Sequence, residues 1–313
     1  MRFVYTESAS NNPELRVFSI SSDTIKLIQE TQFSSLQSPL TLQFSTACKF
    51  KMVQSKSLVL ARRPVGYPIP GEDLIITTSE VDIETPPPDG GLILKTNYIS
   101  YDPYLRAHMR ADFLGDVFPI NEVLDEMAIS TVISSSSPRF KAGDVVIGYA
   151  NFSEYQIFSK EATENTTLGI GLTLLKNPWG LDPKVFLGAL GMPGITAYSS
   201  FYELTKPKKE EVILVSAASG AVGQIVGQLA KREGLKVIGS VGSDEKLKFI
   251  NEELGFDGGF NYKKEKTGDA LKRLLTELGK EGLDIYYDNV GGETLDAALA
   301  AMSNFGRIGL CFL

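Results

Sequence analysis

The sequence predicts an α/β protein in two folded parts, a β-rich domain followed by a doubly wound parallel sheet. Three observations predict it. Short apolar runs punctuated by Gly and Pro fill residues 52 to about 176, strands and helices alternate after Asp182, and a glycine-rich turn joins the first of those strands to its helix. A chain of 313 residues holds two domains at roughly 100–200 residues each. The expected division is an extension over 1–51, a β-rich domain over 52–182 and a doubly wound domain over 183–313.

The first 51 residues hold nine Ser, five Thr and four Gln, and Pro39 breaks the polar stretch Thr31 to Thr46. A secretory signal needs an apolar core after a basic start, and a transit peptide is poor in acids. Here no such core is present, and Glu7, Glu14, Asp23 and Glu30 are spread through the segment. It therefore reads as a disordered or wrongly assigned extension, dispensable for the fold, with targeting as the other reading. Met52 then opens a segment that reads like an ordinary protein start.

In the β-rich part, Gly91 to Ser100 is a strand after the turn cluster Pro86 to Gly90. Asp144 to Tyr149 is a short apolar run launched by the turn Lys141-Ala142-Gly143-Asp144, and Phe152 to Phe158 alternates again. After Asp182 the order is strand Val212 to Ser216, helix Ala221 to Glu233, strand Lys236 to Ser240 and helix Asp244 to Leu254. A short strand at Phe260, helix Asp269 to Leu278, strand Leu283 to Asp288, helix Thr294 to Met302 and strand Gly306 to Leu310 complete it. That alternation is a parallel, doubly wound sheet.

Composition narrows the function. Lys plus Arg total 31 against 38 Asp plus Glu, a net charge of −7, which argues against a nucleic-acid partner. No apolar run approaches the ~18–20 residues of a membrane span. The chain has one histidine, His108, and two cysteines, Cys48 and Cys311, while a zinc site takes about three or four protein ligands. A metal site is not expected. Two distant cysteines without a signal point to reduced thiols and a cytoplasmic home.

The first strand of the second domain ends in Ser216-Ala217-Ala218-Ser219-Gly220-Ala221-Val222-Gly223, and a helix begins at once. Set against GxGxxG, Ala218 replaces the first glycine while Gly220 and Gly223 stand in register. The helix start offers N–H groups and a positive dipole end to a pyrophosphate, so Gly220, Ala221, Val222 and Gly223 are the expected dinucleotide cradle. An NAD site carries an acid about 20 residues on, for the ribose 2′-hydroxyl. Here the second strand runs out in Gly239-Ser240-Val241-Gly242-Ser243, and Asp244 and Glu245 fall in the next helix's first turn, where capping accounts for them. Lys246 could reach a 2′-phosphate or be a solvated helix lysine. The missing acid and the lysine favour NADP.

Several segments together resemble a known family. Leu190 to Tyr198 (LGMPGITAY), SAASGAVGQIVGQLAK, GSVGSDEK, FNYK, DNVGG and the earlier Ser100 to Arg106 (SYDPYLR) occur in order. From about Lys56 to Leu310 the chain is similar to the zinc-independent medium-chain dehydrogenase/reductases. The branch it resembles is that of the NADP-dependent alkenal double-bond reductases and leukotriene B4 dehydrogenases (prostaglandin reductases). The resemblance implies a GroES-like domain followed by a Rossmann domain, with the active site in the cleft between them. It implies hydride transfer from NADPH to the β carbon of an α,β-unsaturated aldehyde or ketone, without a metal. Lys246 and Tyr262 would hold the 2′-phosphate and its ribose surroundings, Asn289 would line the cofactor, and Tyr104 would meet the substrate carbonyl. On residues alone Tyr262 could be a surface aromatic, Asn289 a turn-former before Gly291-Gly292, and Tyr104 a core residue beside Pro103. With its ordinary pKa near 10, Tyr104 can donate a hydrogen bond at neutral pH. A quinone reductase shares the scaffold and is the other enzymatic reading, and a homodimer is left open.

The chain departs from the family pattern in three places. Between Phe118 and Pro138, Glu122, Asp125 and Glu126 stand where the family carries glycines, so the pocket wall there is not implied. His108 is expected to be a surface residue rather than an acid catalyst. The chain stops at Leu313, after the fifth strand, whereas the family continues into a cofactor-contacting loop and a sixth strand. The second domain is therefore expected to be C-terminally incomplete, through a shortened gene assignment or a splice product, giving a cofactor-binding fragment of weak activity with an aggregation-prone edge strand.

Overall fold

The structure, a computed structural model, describes residues 51–112, 117–164 and 171–311. Apart from Lys51, the expectations for residues 1–51 lie outside the described residues, as does Phe312. The chain divides into two compact units, Met1–Pro178 and Trp179–Leu313.

In the first unit, β1 (Met52–Leu60) and β2 (Leu74–Asp82) form an antiparallel pair in continuous register from Met52 opposite Asp82 to Leu60 opposite Leu74. A five-stranded antiparallel sheet is built from β3 (Leu92–Ile99), β4 (Asp125–Ser135), β5 (Val145–Asn151), β6 (Tyr155–Phe158) and β7 (Thr173–Leu174), in the order β6-β3-β4-β5-β7. Two short helices, α1 (Leu105–His108) and α2 (Lys160–Glu164), interrupt it. Alternation governs its burial: Leu92, Leu94, Val132, Phe140, Val146 and Leu172 pack as one cluster. A second cluster joins Leu60, Leu105, Met109, Phe118, Leu124 and Phe152, so α1 is anchored by its only buried residue, Leu105. The stretch with acids in place of glycines is β4 itself. Its pattern is masked in the sequence because Asp125 and Glu126 open the strand ahead of the apolar residues Met127 to Ile129.

The second unit is a five-stranded parallel sheet of β8 (Val212–Val215), β9 (Lys236–Val241), β10 (Gly258–Asn261), β11 (Leu283–Asp288) and β12 (Met302–Leu310), ordered β10-β9-β8-β11-β12. Its helices are α3 (Met192–Ser200), α4 (Ala221–Arg232), α5 (Asp244–Lys248), α6 (Thr267–Glu277) and α7 (Gly292–Ala300). Every residue of β8 is buried, because successive side chains face opposite helix layers. Ile213 and Val215 pack with Val226, Ala230 and Phe201, whereas Val212 and Leu214 pack with Leu271, Leu274 and Ala298. This is the mixed α/β architecture the sequence predicts, a β-rich unit followed by a Rossmann-like one.

The last helix and strand differ from expectation. Gly291, at φ 68, turns the chain straight into α7, two residues before Thr294. β12 begins at Met302, not Gly306, and absorbs an irregularity opposite Leu283 and Ile285. Phe305 there adopts φ 64 and projects its ring almost fully into solvent. A strand with a left-handed residue inside it reads as a turn in sequence.

Candidate dinucleotide and substrate sites

The strand order reverses at β8: β9 and β10 lie on one side of it, β11 and β12 on the other. The crevice outside the carboxyl ends of β8 and β11 is the ligand position of an open α/β sheet. Here β8 runs out into Ser216 and Ala217, the latter at φ 46, and the Ala218 N–H donates to the Ser240 carbonyl at 3.0 Å. Gly220 is the N-cap of α4 and offers no side-chain acceptor. The first-turn N–H groups at Ala221, Val222 and Gly223 have no intrahelical partners, as at any helix start. A Cβ on Gly223 would sit 2.4 Å from the Ala217 carbonyl oxygen, and one on Gly227 would sit 1.9 Å from Phe256 Cζ. The two glycines thus let α4 press against the turn and the sheet. This bare, close-packed helix start fits a pyrophosphate.

Asn289 joins that turn from the end of β11. Its N–H donates to Ser216 Oγ at 2.8 Å and its side-chain amide to the Ser216 carbonyl at 2.7 Å. The tie uses one of the two amide N–H groups and leaves the other N–H and the side-chain Oδ1 able to meet a ligand. Beside it, the fully buried Asp288 accepts through Oδ1 from Tyr286 Oη (2.6 Å), Val290 N (2.9 Å) and Gly291 N (2.7 Å). Burial first, then this bond to Asp288, raises Tyr286 and keeps it a neutral phenol. Ser216 and Asp288 shape the turn, yet each reads in sequence as an ordinary strand-end residue.

Beyond β9 the electrostatics favour an added phosphate. Asp244, the acid nearest the strand tip, is engaged by Lys264 and by the Asn261 amide at 2.9 Å, and these bonds lower its pKa. Ser243 caps α5 by accepting from the Lys246 N–H at 3.3 Å. The Lys246 ammonium has no ion-pair partner among the described residues, and Tyr262, half exposed, lies over Gly242, where a Cβ would meet the phenol oxygen at 3.0 Å. Lys246, in the first turn of α5 after β9, and Tyr262, directly after β10, follow neighbouring strands, with Asp244 already engaged. The set fits a 2′-phosphate better than a bare 2′-hydroxyl.

The first unit holds a separate cluster. Tyr104 is the residue from which α1 starts, and its hydroxyl is 3.4 Å from Asp102 Oδ2. Asp102 also accepts from Ser100 Oγ. Glu126, 2 % exposed, accepts from the Met127 N–H at 2.8 Å. Burial pushes the Glu126 carboxyl up to about 7, against the bonds from Met127 and Tyr104, and the nearby Asp102 and Asp125 add to the rise. Burial also drives Tyr104 far above its ordinary value, with Glu126 and Asp102 adding to it, so the phenol is perturbed and firmly neutral. The turn is pinned by Arg106, which donates to the Gly66 and Pro64 carbonyls at 2.8 and 3.1 Å. The ring of His108 packs between Tyr104 and Phe118, partly buried rather than on the surface. Glu126 and Asp102 were legible only as a substitution for glycine and as part of a turn, because their burial depends on pairing between distant strands.

Residues 56–166 match the family model described as the N-terminal domain of oxidoreductase, and residues 221–311 match that described as zinc-binding dehydrogenase. The chain is 51% identical over 260 residues to an NADP-dependent oxidoreductase, RED1, of Cochliobolus heterostrophus, covering 82% of this chain and 71% of that one. It is 38% identical over 263 residues to the NADP-dependent 2-alkenal reductase of Nicotiana tabacum, covering 83% and 72%. Among solved structures it is similar to CurA from Vibrio vulnificus in complex with NADPH, with 35% identity and a TM-score of 0.70 over 82% of this chain and 72% of that one. A two-part α/β fold, a bare glycine cradle at the switch point and this degree of identity converge: the chain belongs to the zinc-independent medium-chain dehydrogenase/reductase superfamily of NADP-dependent oxidoreductases, in the alkenal double-bond reductase branch.

Proposed function

We propose that this protein reduces the carbon–carbon double bond of α,β-unsaturated aldehydes or ketones with NADPH. The observation that carries this reading is Tyr104, a phenol held neutral and set 3.4 Å from the buried Asp102 carboxyl on the turn leading into α1. The cofactor contacts assigned to this chain are the α4 N–H groups from Ala221 to Gly223 for the pyrophosphate, Lys246 and Tyr262 around the 2′-phosphate, and the Asn289 side chain. Bound NADPH would supply a hydride to the β carbon, and a proton from solvent would then reach the α carbon, giving the saturated product. Tyr104 donates its one hydroxyl proton as a hydrogen bond to the substrate carbonyl oxygen, where negative charge builds as the enolate forms. A neutral donor suits this task, since a phenolate would repel that charge. Identity to the tobacco 2-alkenal reductase supports the substrate class.

The test is NADPH oxidation with an enal, an enone and a quinone, followed by mass analysis of the product. The expected result is turnover of the enal or enone to a product two hydrogens heavier with its carbonyl intact. Turnover of the quinone alone would replace this reading with quinone reduction.

A further inference from the structure

Asp244 is an acid beside the position assigned to a second anion. It precedes Lys246 by two residues, and an unpaired carboxylate there would repel a 2′-phosphate. Both of its oxygens are instead engaged from the neighbouring strand. Oδ1 accepts from the Asn261 amide at 2.9 Å and Oδ2 from the Lys264 ammonium. Asn261 ends β10 and Asp244 opens α5 after β9, so the contact joins the two loops in which these paired strands run out. We propose that Asp244 is a positioning residue for NADP, holding Asn261 and Lys264 so that Tyr262 is set beside the 2′-phosphate. On this assignment the acid raises affinity for the phosphorylated cofactor instead of lowering it. This rests on the placement of the 2′-phosphate at Lys246 and Tyr262 above, and not on which bond of the substrate is reduced.

The tie reaches Tyr262 through Asn261. That residue is 7 % exposed, and both ends of its side chain are engaged, Nδ2 by Asp244 and Oδ1 by the Lys263 N–H at 3.1 Å. Its backbone carbonyl accepts from the Lys264 and Glu265 N–H groups at 2.9 and 3.0 Å, which closes the turn that carries Tyr262. The Tyr262 N–H donates to the Val241 carbonyl at 3.0 Å, and the phenol lies over Gly242. Tyr262 is thus fixed to β9 by its backbone and to α5 through the side chain of the residue before it. Without the Asp244 carboxylate, the buried Asn261 amide loses its acceptor and must shift to find another. Two effects of opposite sign then compete. Relief of one negative charge is weak, because Lys264 already neutralises Asp244 and both side chains are more than half exposed. Loss of the tie is the larger effect, so geometry decides the sign.

The experiment measures Kd by titration calorimetry for adenosine 2′,5′-bisphosphate and adenosine 5′-monophosphate, two fragments that differ by the 2′-phosphate alone. Wild type is compared with Asp244→Ala, Asp244→Asn, Asn261→Ala and Lys246→Ala, and no turnover is needed. Asp244→Ala should weaken the bisphosphate about five- to tenfold, the order expected for one hydrogen bond, and change the monophosphate less than about twofold. Asparagine keeps an oxygen for the Asn261 amide and drops the charge, so Asp244→Asn should bind the bisphosphate within about twofold of wild type. Asn261→Ala should weaken it as Asp244→Ala does, and the double variant should be no weaker than either, since both cut one tie. Bisphosphate binding by Asp244→Ala as tight as wild type, or tighter, would make the acid a repulsive group and overturn the proposal. Equal weakening of both fragments would make it a residue of general stability, and Asp244→Asn as weak as Asp244→Ala would make its charge the cause; either overturns the proposal too. Lys246→Ala tests the underlying placement. If it leaves the bisphosphate unaffected, the 2′-phosphate is not at this turn and both assignments fail. If it weakens the bisphosphate while Asp244→Ala does not, the placement stands and only the role of Asp244 falls.

Discussion

The Lys246 ammonium and the Asp244 carboxylate leave the same turn and do opposite things. Asp244 is consumed by Asn261 and Lys264, while Lys246 has no ion-pair partner among the described residues and is the proposed contact of the 2′-phosphate. A charge-assisted hydrogen bond contributes about 1.5–3 kcal/mol, and partial exposure puts this one at the lower end. Lys246→Ala should therefore raise the Kd for NADPH roughly tenfold. The Kd for NADH should change less than about twofold, both read by fluorescence titration. Equal weakening of the two cofactors would remove Lys246 from the phosphate site. Tyr104→Phe removes one hydrogen-bond donor and leaves the ring that packs beside His108. Loss of an oxyanion donor costs about 10²–10³ in kcat. Steady-state kinetics should accordingly show kcat down roughly 10²-fold with KM little changed. A KM effect alone would make Tyr104 a binding residue.

At the scale of elements, α4 is the part whose packing decides the cradle. Alanine at Gly227 would gain about 1 kcal/mol in helix propensity. Against that, its Cβ would lie 1.9 Å from the ring of Phe256, which is 6 % exposed and cannot swing aside. Overpacking costs about 1–3 kcal/mol, and a 1.9 Å approach belongs to its upper half, about 2–3 kcal/mol, so net of the helix gain Gly227→Ala should be destabilised by ~1–2 kcal/mol. Adding Phe256→Leu to Gly227→Ala should recover part of that loss, read from urea midpoints as a favourable interaction energy between the two changes. A Gly227→Ala protein as stable as wild type would show that α4 can retreat from the sheet. Elements such as β11 were legible because LDIYYD is a short β-rich run bounded by Gly282 and Asn289-Val290-Gly291. β12 was shortened in the sequence reading because Asn304-Phe305-Gly306 has turn chemistry, and only pairing with β11 shows it continuing through that point. The glycines and Lys246 were legible by spacing. The Ser216–Asn289 tie was not, since it joins residues from the ends of separate strands whose meeting is set by sheet order.

Across the whole molecule individual carboxyls respond to pH in opposite directions, Glu126 being raised and Asp257 and Glu211 lowered. Glu126 titrates at about 7 in the folded chain against an ordinary 4.5, so the folded state holds its proton more tightly than the unfolded state. Its contribution is full below 4.5 and is lost as pH rises through 7, an upper limit of about 3 kcal/mol. In the second unit burial alone would raise Asp257. Lys231, at 2.6 Å, and the Val237 N–H override it and bring the carboxyl below 3.8. Glu211 behaves likewise, with Arg307 at 2.6 Å and the Lys208 N–H outweighing burial. Those contributions are present above the ordinary carboxylate values and vanish as pH falls through the lowered ones. Glu126 thus contributes stability that fades on the alkaline side, and Asp257 and Glu211 contribute stability that fades on the acid side, as do the lowered Asp73 and Asp82 of the first unit. Glu126→Gln should raise the urea midpoint at pH 8 and leave it nearly unchanged at pH 5; an equal change at both would mean the carboxyl is not raised in the folded chain. The place of β8 at the centre of its sheet has a consequence for how the chain is made. β9 follows it closely, but its other neighbour, β11, is followed by Asn289, 73 residues beyond Ser216. At about 5–20 residues per second, translation leaves one edge of β8 without its partner strand for about 4–15 s. That nascent edge is wholly apolar and open to the wrong strand throughout, so the hazard of this fold lies in the order of its synthesis.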